Sequence, residues 1–173
     1  MAIRNREKKA EKEVTSALKM VRERPLEVEG FYPVQLAGYG EGMKMLCRED
    51  EEKEYAIRAD RFTACLTEGC FYNIKMAQRY LSQQLQVTYR VPIPLGREMI
   101  LVPFKTRSRR IQGDSMIGYV NWHRVERVTS RGKIVLKSGR EFPCLNKGRT
   151  VRQRMVQAQL GAVLMREYFE GKP

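Results

Sequence analysis

Between Leu66 and Leu85 the apolar residues Leu66, Cys70, Ile74, Ala77, Leu81 and Leu85 recur at steps of four, four, three, four and four. Such spacing lays them along one helix face. It predicts a central helix within 61–86, with Gly69 weakening its first turns so that a loop fills them and the firm part begins near Cys70. Asn73, Lys75, Gln78, Arg79 and Gln83 fall off the stripe and are left for a partner. A second helical period, Ala10, Val14, Ala17, Leu18 and Val21, runs through the densely charged stretch 3–24. This reads as a charged helix or a partly ordered arm, ended by Pro25, which lacks the amide donor and crowds the preceding turn. A third period, Val151, Met155, Ala158, Ala162, Met165 and Phe169, predicts a C-terminal helix. It is expected to start at Thr150, in a Thr-x-x-Gln capping box closed by Gln153, with Arg149, Arg152, Arg154 and Arg166 on the remaining surface.

The segments between these helices change to period two or to short apolar runs. Residues 30–34, 43–46 and 55–57, separated by Gly38, Gly40, Gly42 and the acids of 49–52, predict brief meander strands. After Gln86, further strands are predicted at 87–93, 99–104, 116–120, 125–129, 133–136 and 141–145. Ser130-Arg131-Gly132 and Lys137-Ser138-Gly139-Arg140 are the turn signals of consecutive antiparallel hairpins. The predicted fold class is α+β: mostly antiparallel β hairpins and meander with a central helix, a C-terminal helix and an N-terminal charged helix. The organisation expected is an arm over 1–24 and one β-rich domain over 25–173.

Charge changes this picture from a fold to a candidate function. Of 33 Lys and Arg residues, 21 fall between Arg61 and Lys172 against only seven acids, whereas 25–60 holds four cations and nine acids. Segregation on this scale points to a polyanionic partner, because a concentrated basic face releases counterions when it neutralises phosphates. Nucleic acid is the first candidate and an anionic membrane surface the second. The acidic cluster 49–52 then reads as a solvated hairpin tip facing away from the phosphates. No apolar run approaches the ~20 residues that cross a bilayer, and 2–24 lacks the apolar stretch of a secretion signal. A cytoplasmic protein is expected. Cys47, Cys65, Cys70 and Cys144 are scattered among apolar neighbours, as reduced core thiols are, and one Cys-x4-Cys pair with a single histidine does not make a zinc set.

The sharpest local signal is Lys105-Thr106-Arg107-Ser108-Arg109-Arg110, four cations in six residues between two predicted strands. Hydroxyls among cations suit phosphate oxygens, and arginine suits the deep negative potential of a narrow minor groove. A second basic group, Lys147, Arg149, Arg152 and Arg154, sits where a loop becomes a helix, so helix amides join side chains in holding a phosphate. Asn121-Trp122-His123-Arg124 reads as a half-buried Trp anchor beside a surface or hydrogen-bonded His. One histidine with scattered acids makes no catalytic constellation, and neither phosphate-binding glycine loop is present. No enzymatic activity, cofactor or metal is expected.

Several stretches in order resemble the ComK competence transcription factor family. They are Arg61-Phe62 with the helix that follows, Pro92-Ile93-Pro94, Met99 to Pro103 running into Phe-Lys-Thr-Arg-Ser, the 119–128 strand pair, and Ile134 to Pro143 around Ser-Gly. The second half, 114–121, 125–128 and 134–143, is also similar to LytTR-type DNA-binding domains. The resemblance implies a competence-type transcriptional activator that binds A/T-rich double-stranded DNA largely through minor-groove and phosphate contacts. It further implies a homo-oligomer, dimeric on DNA, with an RNA polymerase contact and no membrane association. Carried over by position, the DNA-contacting loops fall around 105–115 and 146–149. Together with the charge reading this selects Lys105, Thr106, Arg107, Ser108, Arg109, Arg110, Asn146, Lys147, Arg149 and Arg152. The family's usual Cys-Gly-Trp stretch is replaced by Met116-Ile117-Gly118-Tyr119, and the chain ends at Pro173 short of the segment by which familiar members are captured for proteolysis. Two other readings stand beside this one. One is an RNA-binding or ribosome-associated protein stacking bases on Phe71, Tyr72, Tyr80 and Tyr89; the other is a basic adaptor held to an acidic protein or lipid surface by 3–24.

Overall fold

The computed structural model of the chain describes residues 2–49, 51–70 and 73–171. Among these, four α-helices accompany two antiparallel sheets, the α+β class expected. Helix α1 (Ala2–Glu23) stops as Pro25 opens a 3-10 turn (Pro25–Glu27). Its stripe is buried: Ala17 and Val21 lie in the core, with Val14 and Leu18 packed against it. The charged arm of the sequence reading thus shares the core of the domain that follows.

Strands β1 (Val28–Leu36), β2 (Gly40–Cys47) and β3 (Glu52–Tyr55) form a meander; the first two fall on the expected runs, whereas β3 precedes the expected 55–57, sharing only Tyr55 with it, and takes in Glu52 of the expected hairpin tip. The expected central helix is two helices, α2 (Ala59–Glu68) and α3 (Ile74–Leu85). The first turns read as a loop are helical; α2 ends at Glu68 and α3 starts afresh at Ile74. Asn73 caps α3 by accepting the Met76 N–H at 3.1 Å. At Gly69 the Arg22 guanidinium occupies the place a Cβ would take while donating to the Cys65 carbonyl at 3.0 Å.

Residues 87–92, expected as strand, are irregular. The Gln86 backbone is left-handed, Val87 N–H bonds Ser82 O at 3.0 Å, and Ser82 Oγ donates to Val87 O at 2.6 Å. Backbone groups that a strand would offer a neighbour are used to close α3. Strands β4 (Ile93–Gly96), β5 (Met99–Lys105) and β6 (Ile117–Asn121) complete a six-stranded sheet of order β3-β2-β1-β6-β5-β4. Strands β7 (Val125–Val128), β8 (Ile134–Leu136) and β9 (Glu141–Phe142) form a small second sheet before helix α4 (Gly148–Glu170).

Alternation along the large sheet sends side chains to two cores. Phe31, Met43, Met45 and Leu101 face α1 and α2, and Phe31 meets Phe62 edge-on at 5.1 Å. Leu46, Val102, Phe104 and Val120 face the other way, onto Ile134, Leu136 and Phe142 of the small sheet and Val151 and Ala158 of α4. Helix α3 packs on the distal half of α4 through Ala77, Leu81 and Met165. Between the sheets, fully buried Glu29 ties β1 to the β8–β9 turn. Its carboxylate accepts Ser138 Oγ (2.6 Å), Ser138 N (3.0 Å), Arg140 Nη2 (3.0 Å) and Arg124 Nη2 (3.4 Å).

Helix α4 begins at Gly148 with Lys147 as N-cap and no side-chain cap, so Thr150 lies inside the first turn and the expected capping box does not form. Tertiary packing overrides it. Gly132, at φ +83° in the β7–β8 turn, approaches so closely that a Cβ there would stand 2.3 Å from Gly148 Cα. Gly132→Ala is therefore expected to cost about 1–3 kcal/mol through backbone strain and to loosen this end of α4. Urea unfolding checks it; an unchanged midpoint would refute the contact.

Trp122 packs against the second core, as expected of an anchor, and His123 is a half-buried imidazole hydrogen-bonded to the Arg97 backbone, with its Nε2 buried without a partner. Burial, then the neighbouring Lys137 charge, push the imidazole below its ordinary 6.5. The folded chain keeps it neutral where the unfolded chain takes a proton. Stability from this group is intact above 6.5 and lost as pH falls through the depressed folded value. His123→Phe should flatten the decline of the unfolding midpoint below pH 6.5. Equal declines in both proteins would remove His123 from the acid response.

Candidate nucleic-acid interface

Lys105 pairs with Ile117, so residues 106–116 emerge together from one end of the large sheet. The inner part of this loop is pinned. Thr106 is buried, and its N–H and hydroxyl both donate to Met116 O, at 2.8 and 3.2 Å. Arg107 Nε donates to Ser115 O at 2.8 Å, and its Nη2 meets Glu41 Oε1 at 3.0 Å. That carboxylate also accepts Ser115 N at 2.8 Å and lies 3.6 Å from Arg58, whose Nη2 donates to Gly113 O at 3.0 Å.

The outer part is closed by Asp114, which accepts the Arg110 and Ile111 amides at 3.0 and 3.1 Å. These bonds hold its carboxyl below the usual carboxylate range. Ser108, Arg109, Arg110 and Ile111 are consequently displayed to solvent on an organised turn. Of the six residues selected here, Thr106 and Arg107 support the loop, Ser108, Arg109 and Arg110 form its surface, and Lys105 stands half-buried at its root.

The second basic segment is brought to the same place. Asn146 Oδ1 accepts the Lys105 amide at 2.7 Å, and Leu145 N–H donates to Lys105 O at 2.7 Å. Asn146 is thereby a bracket between segments 41 residues apart, and it sets Lys147 at the root of the arginine loop. Lys147 and Arg149 are exposed; Arg152, also exposed, donates from Nη1 to Ser130 O at 3.2 Å. Arg154, expected on the surface, is turned inward instead: Nη1 bonds Pro103 O at 2.7 Å and the guanidinium lies 5.6 Å above the Phe104 ring. Burial, aided by the Arg90 charge, pushes its pKa down. A buried carbonyl needs a donor, and a guanidinium stem covers apolar surface well.

Two residues beside this face, exposed Arg131 and half-exposed Arg90, escaped the sequence reading, which named Tyr89 for base stacking alone. Arg131 projects from the turn that packs on the start of α4 and carried only a turn signal. Tyr89, with Arg90 stacked 4.7 Å above its ring, borders a groove completed by Thr150, Gln153 and Arg154. Phe71 and Tyr72, named for base stacking, lie outside the described residues; Tyr80 packs 6.2 Å from Tyr168.

Charge is polarised along the sheet. Strand directions put the arginine loop at the end where β2 begins, and Glu49 and Glu51 at the end where β2 stops. Lys105, Arg109, Arg110, Lys147 and Arg149 make no ion pair with a described carboxylate, whereas Lys44, Lys53 and Lys133 are paired elsewhere. Among the described residues no helix is long and apolar enough to cross a membrane. Comparison of the chain with protein-family models, curated proteins and solved structures gives no match.

Proposed function

We propose that this protein is a transcriptional regulator that binds A/T-rich duplex DNA through the face formed by Lys105, Ser108, Arg109, Arg110, Lys147, Arg149 and Arg152, with Thr106, Arg107 and Asn146 holding it in shape. The observation that carries the reading is the convergence of two basic segments, distant in sequence, through the Lys105–Asn146 bond, with unpaired cations on the outer surface. An array of this kind displaces condensed counterions, which supplies affinity. Arg109 and Arg110, on a narrow turn with exposed Ile111 at its tip, match the requirements of a narrow minor groove read by shape and potential. The uncapped first turn of α4 adds amides suited to a phosphate. The resemblance to the ComK family supports the transcriptional part of the proposal.

The test is competition binding of the full chain to a mixed pool of A/T-rich duplexes, G/C-rich duplexes and RNA at physiological salt, followed by sequencing of the bound fraction. Enrichment of A/T-rich boxes is expected. An unenriched pool would refute sequence preference. A preference for RNA would move the function to single-strand stacking, where Tyr89, 68% exposed beneath Arg90, is the residue to remove.

A further inference from the structure

Helix α4 is apolar on two opposite faces. One is the core face of Val151, Ala158 and Met165; on the other, Val156, Leu160 and Val163 are 54%, 51% and 50% exposed. Spacings of four and three place these three on one ridge, the a/d geometry of a two-helix seam. The same heptad spacing continues to Arg149 and Gln153 at one end and to Glu167 and Glu170 at the other, all exposed. Neither Arg149 nor the two acids form an ion pair among the described residues. Val156, Leu160 and Val163 line neither flanking groove: the Tyr89 groove borders α4 on one side through Thr150, Gln153 and Gln157, and the His123 groove on the other through Met155 and Gln159.

We propose that the occupant of this ridge is the α4 ridge of a second copy of the chain, paired antiparallel about a two-fold axis near Leu160. The sequence is self-complementary in that orientation. Leu160 meets Leu160, Val156 meets Val163, and Arg149 of each copy lies opposite Glu170 of the other, with Glu167 one turn away. A parallel pairing would set Arg149 against Arg149 and Glu170 against Glu170, which opposes it. An isologous contact of this type closes on itself and stops at a dimer.

The pairing stands without any DNA-binding role. Taken together with the proposed function, on which this next step rests, it fixes a spacing. Arg149 and Glu170 are 21 residues apart, so at 1.5 Å per residue the two Arg149 positions fall about 32 Å apart along the seam. That is close to one turn of duplex, about 34–36 Å, the separation at which paired half-sites present the same side.

Sedimentation equilibrium of the full chain decides the pairing. Wild type is expected to form dimers, and Leu160→Glu to raise the dissociation constant at least about tenfold, as loss of a central apolar contact does. Arg149→Glu should weaken the dimer, and Arg149→Glu/Glu170→Arg should restore it, because only the antiparallel seam re-forms attraction in the doubly exchanged chain. Leu160→Cys, but not Arg149→Cys, should crosslink to its own copy on mild oxidation above the background of the native thiols. A monomeric wild type, a dimer indifferent to Leu160→Glu, or a double exchange no better than the single one would overturn the proposal. Far-ultraviolet circular dichroism confirms that each variant is folded. Dimerisation without DNA binding would leave the pairing standing and refute the function; DNA binding by a monomer would do the reverse.

Discussion

Replacing Glu29 by alanine is expected to cost about 3–5 kcal/mol of folding stability, the range for breaking a buried ion cluster from one side. Glu29 is fully buried and is the carboxylate that faces Arg124, Arg140 and Ser138 between the two sheets. Its removal strands two guanidiniums in a site with little access to water. One of them is already short of partners, since Arg124 Nε is buried without an acceptor. Arg140 keeps backbone acceptors at Glu51 and Cys47, so its stranding is partial. The loss is large beside the roughly 5–15 kcal/mol that holds a domain of ordinary size. Arg140→Met alone should also destabilise, but the double variant should lose less than the sum, because the carboxylate and the cation it compensates leave together. Urea unfolding measures all three. A loss below about 1 kcal/mol for Glu29→Ala would mean that water enters the cluster and that the sheets are held by apolar contact alone.

What could be read from the sequence divides by the range of the contact involved. Elements set by local period were legible: the stripe Val14 to Val21, the first two meander strands, and the alternation of β5 that sends Leu101 to one core and Val102 to the other. Elements decided by a distant residue were not. The period Leu66 to Leu85 is continuous, yet the helix breaks where Arg22 takes the space beside Gly69. Thr150 has the right neighbours for a cap, yet Gly132 against Gly148 begins the helix two residues earlier. The candidate site divides the same way. Charge alone located both basic segments, but not that Glu41, 66 positions away, holds Arg107, nor that Pro103 O draws in Arg154. Composition counts cations; only the fold says which of them remain for a partner. The outer ridge of α4 was missed for a related reason. Val156, Leu160 and Val163 look like core residues in a sequence, and a helix with two apolar faces is recognised only when one is seen to be occupied.

That sorting of cations leads to the second large effect. In the triple variant Arg109→Ala/Arg110→Ala/Lys147→Ala, the dependence of log K on log salt should flatten by about 2–3 units, since each lost phosphate contact removes about 0.9 from the slope. At physiological salt each such contact is worth roughly fivefold through released counterions, so affinity for duplex should fall about a hundredfold. None of the three pairs with a described carboxylate, and none bonds another segment through its side chain, so folding stability should hold within about 0.5 kcal/mol. Arg107→Ala should behave in the opposite way. It leaves Glu41 facing only Arg58 and the Ser115 amide, and it frees the loop from Ser115 O. Its loss of affinity would come from a disordered loop, with the salt slope little changed and the unfolding midpoint lowered. Lys19→Ala, on α1 and paired with Glu23, should alter neither quantity. Titrations of one labelled duplex at several salt concentrations, with an unfolding curve for each variant, separate these cases. A triple variant that keeps the wild-type slope would place the phosphates elsewhere on the molecule, and an Arg107 variant that flattens the slope without loss of stability would return that side chain to the binding surface.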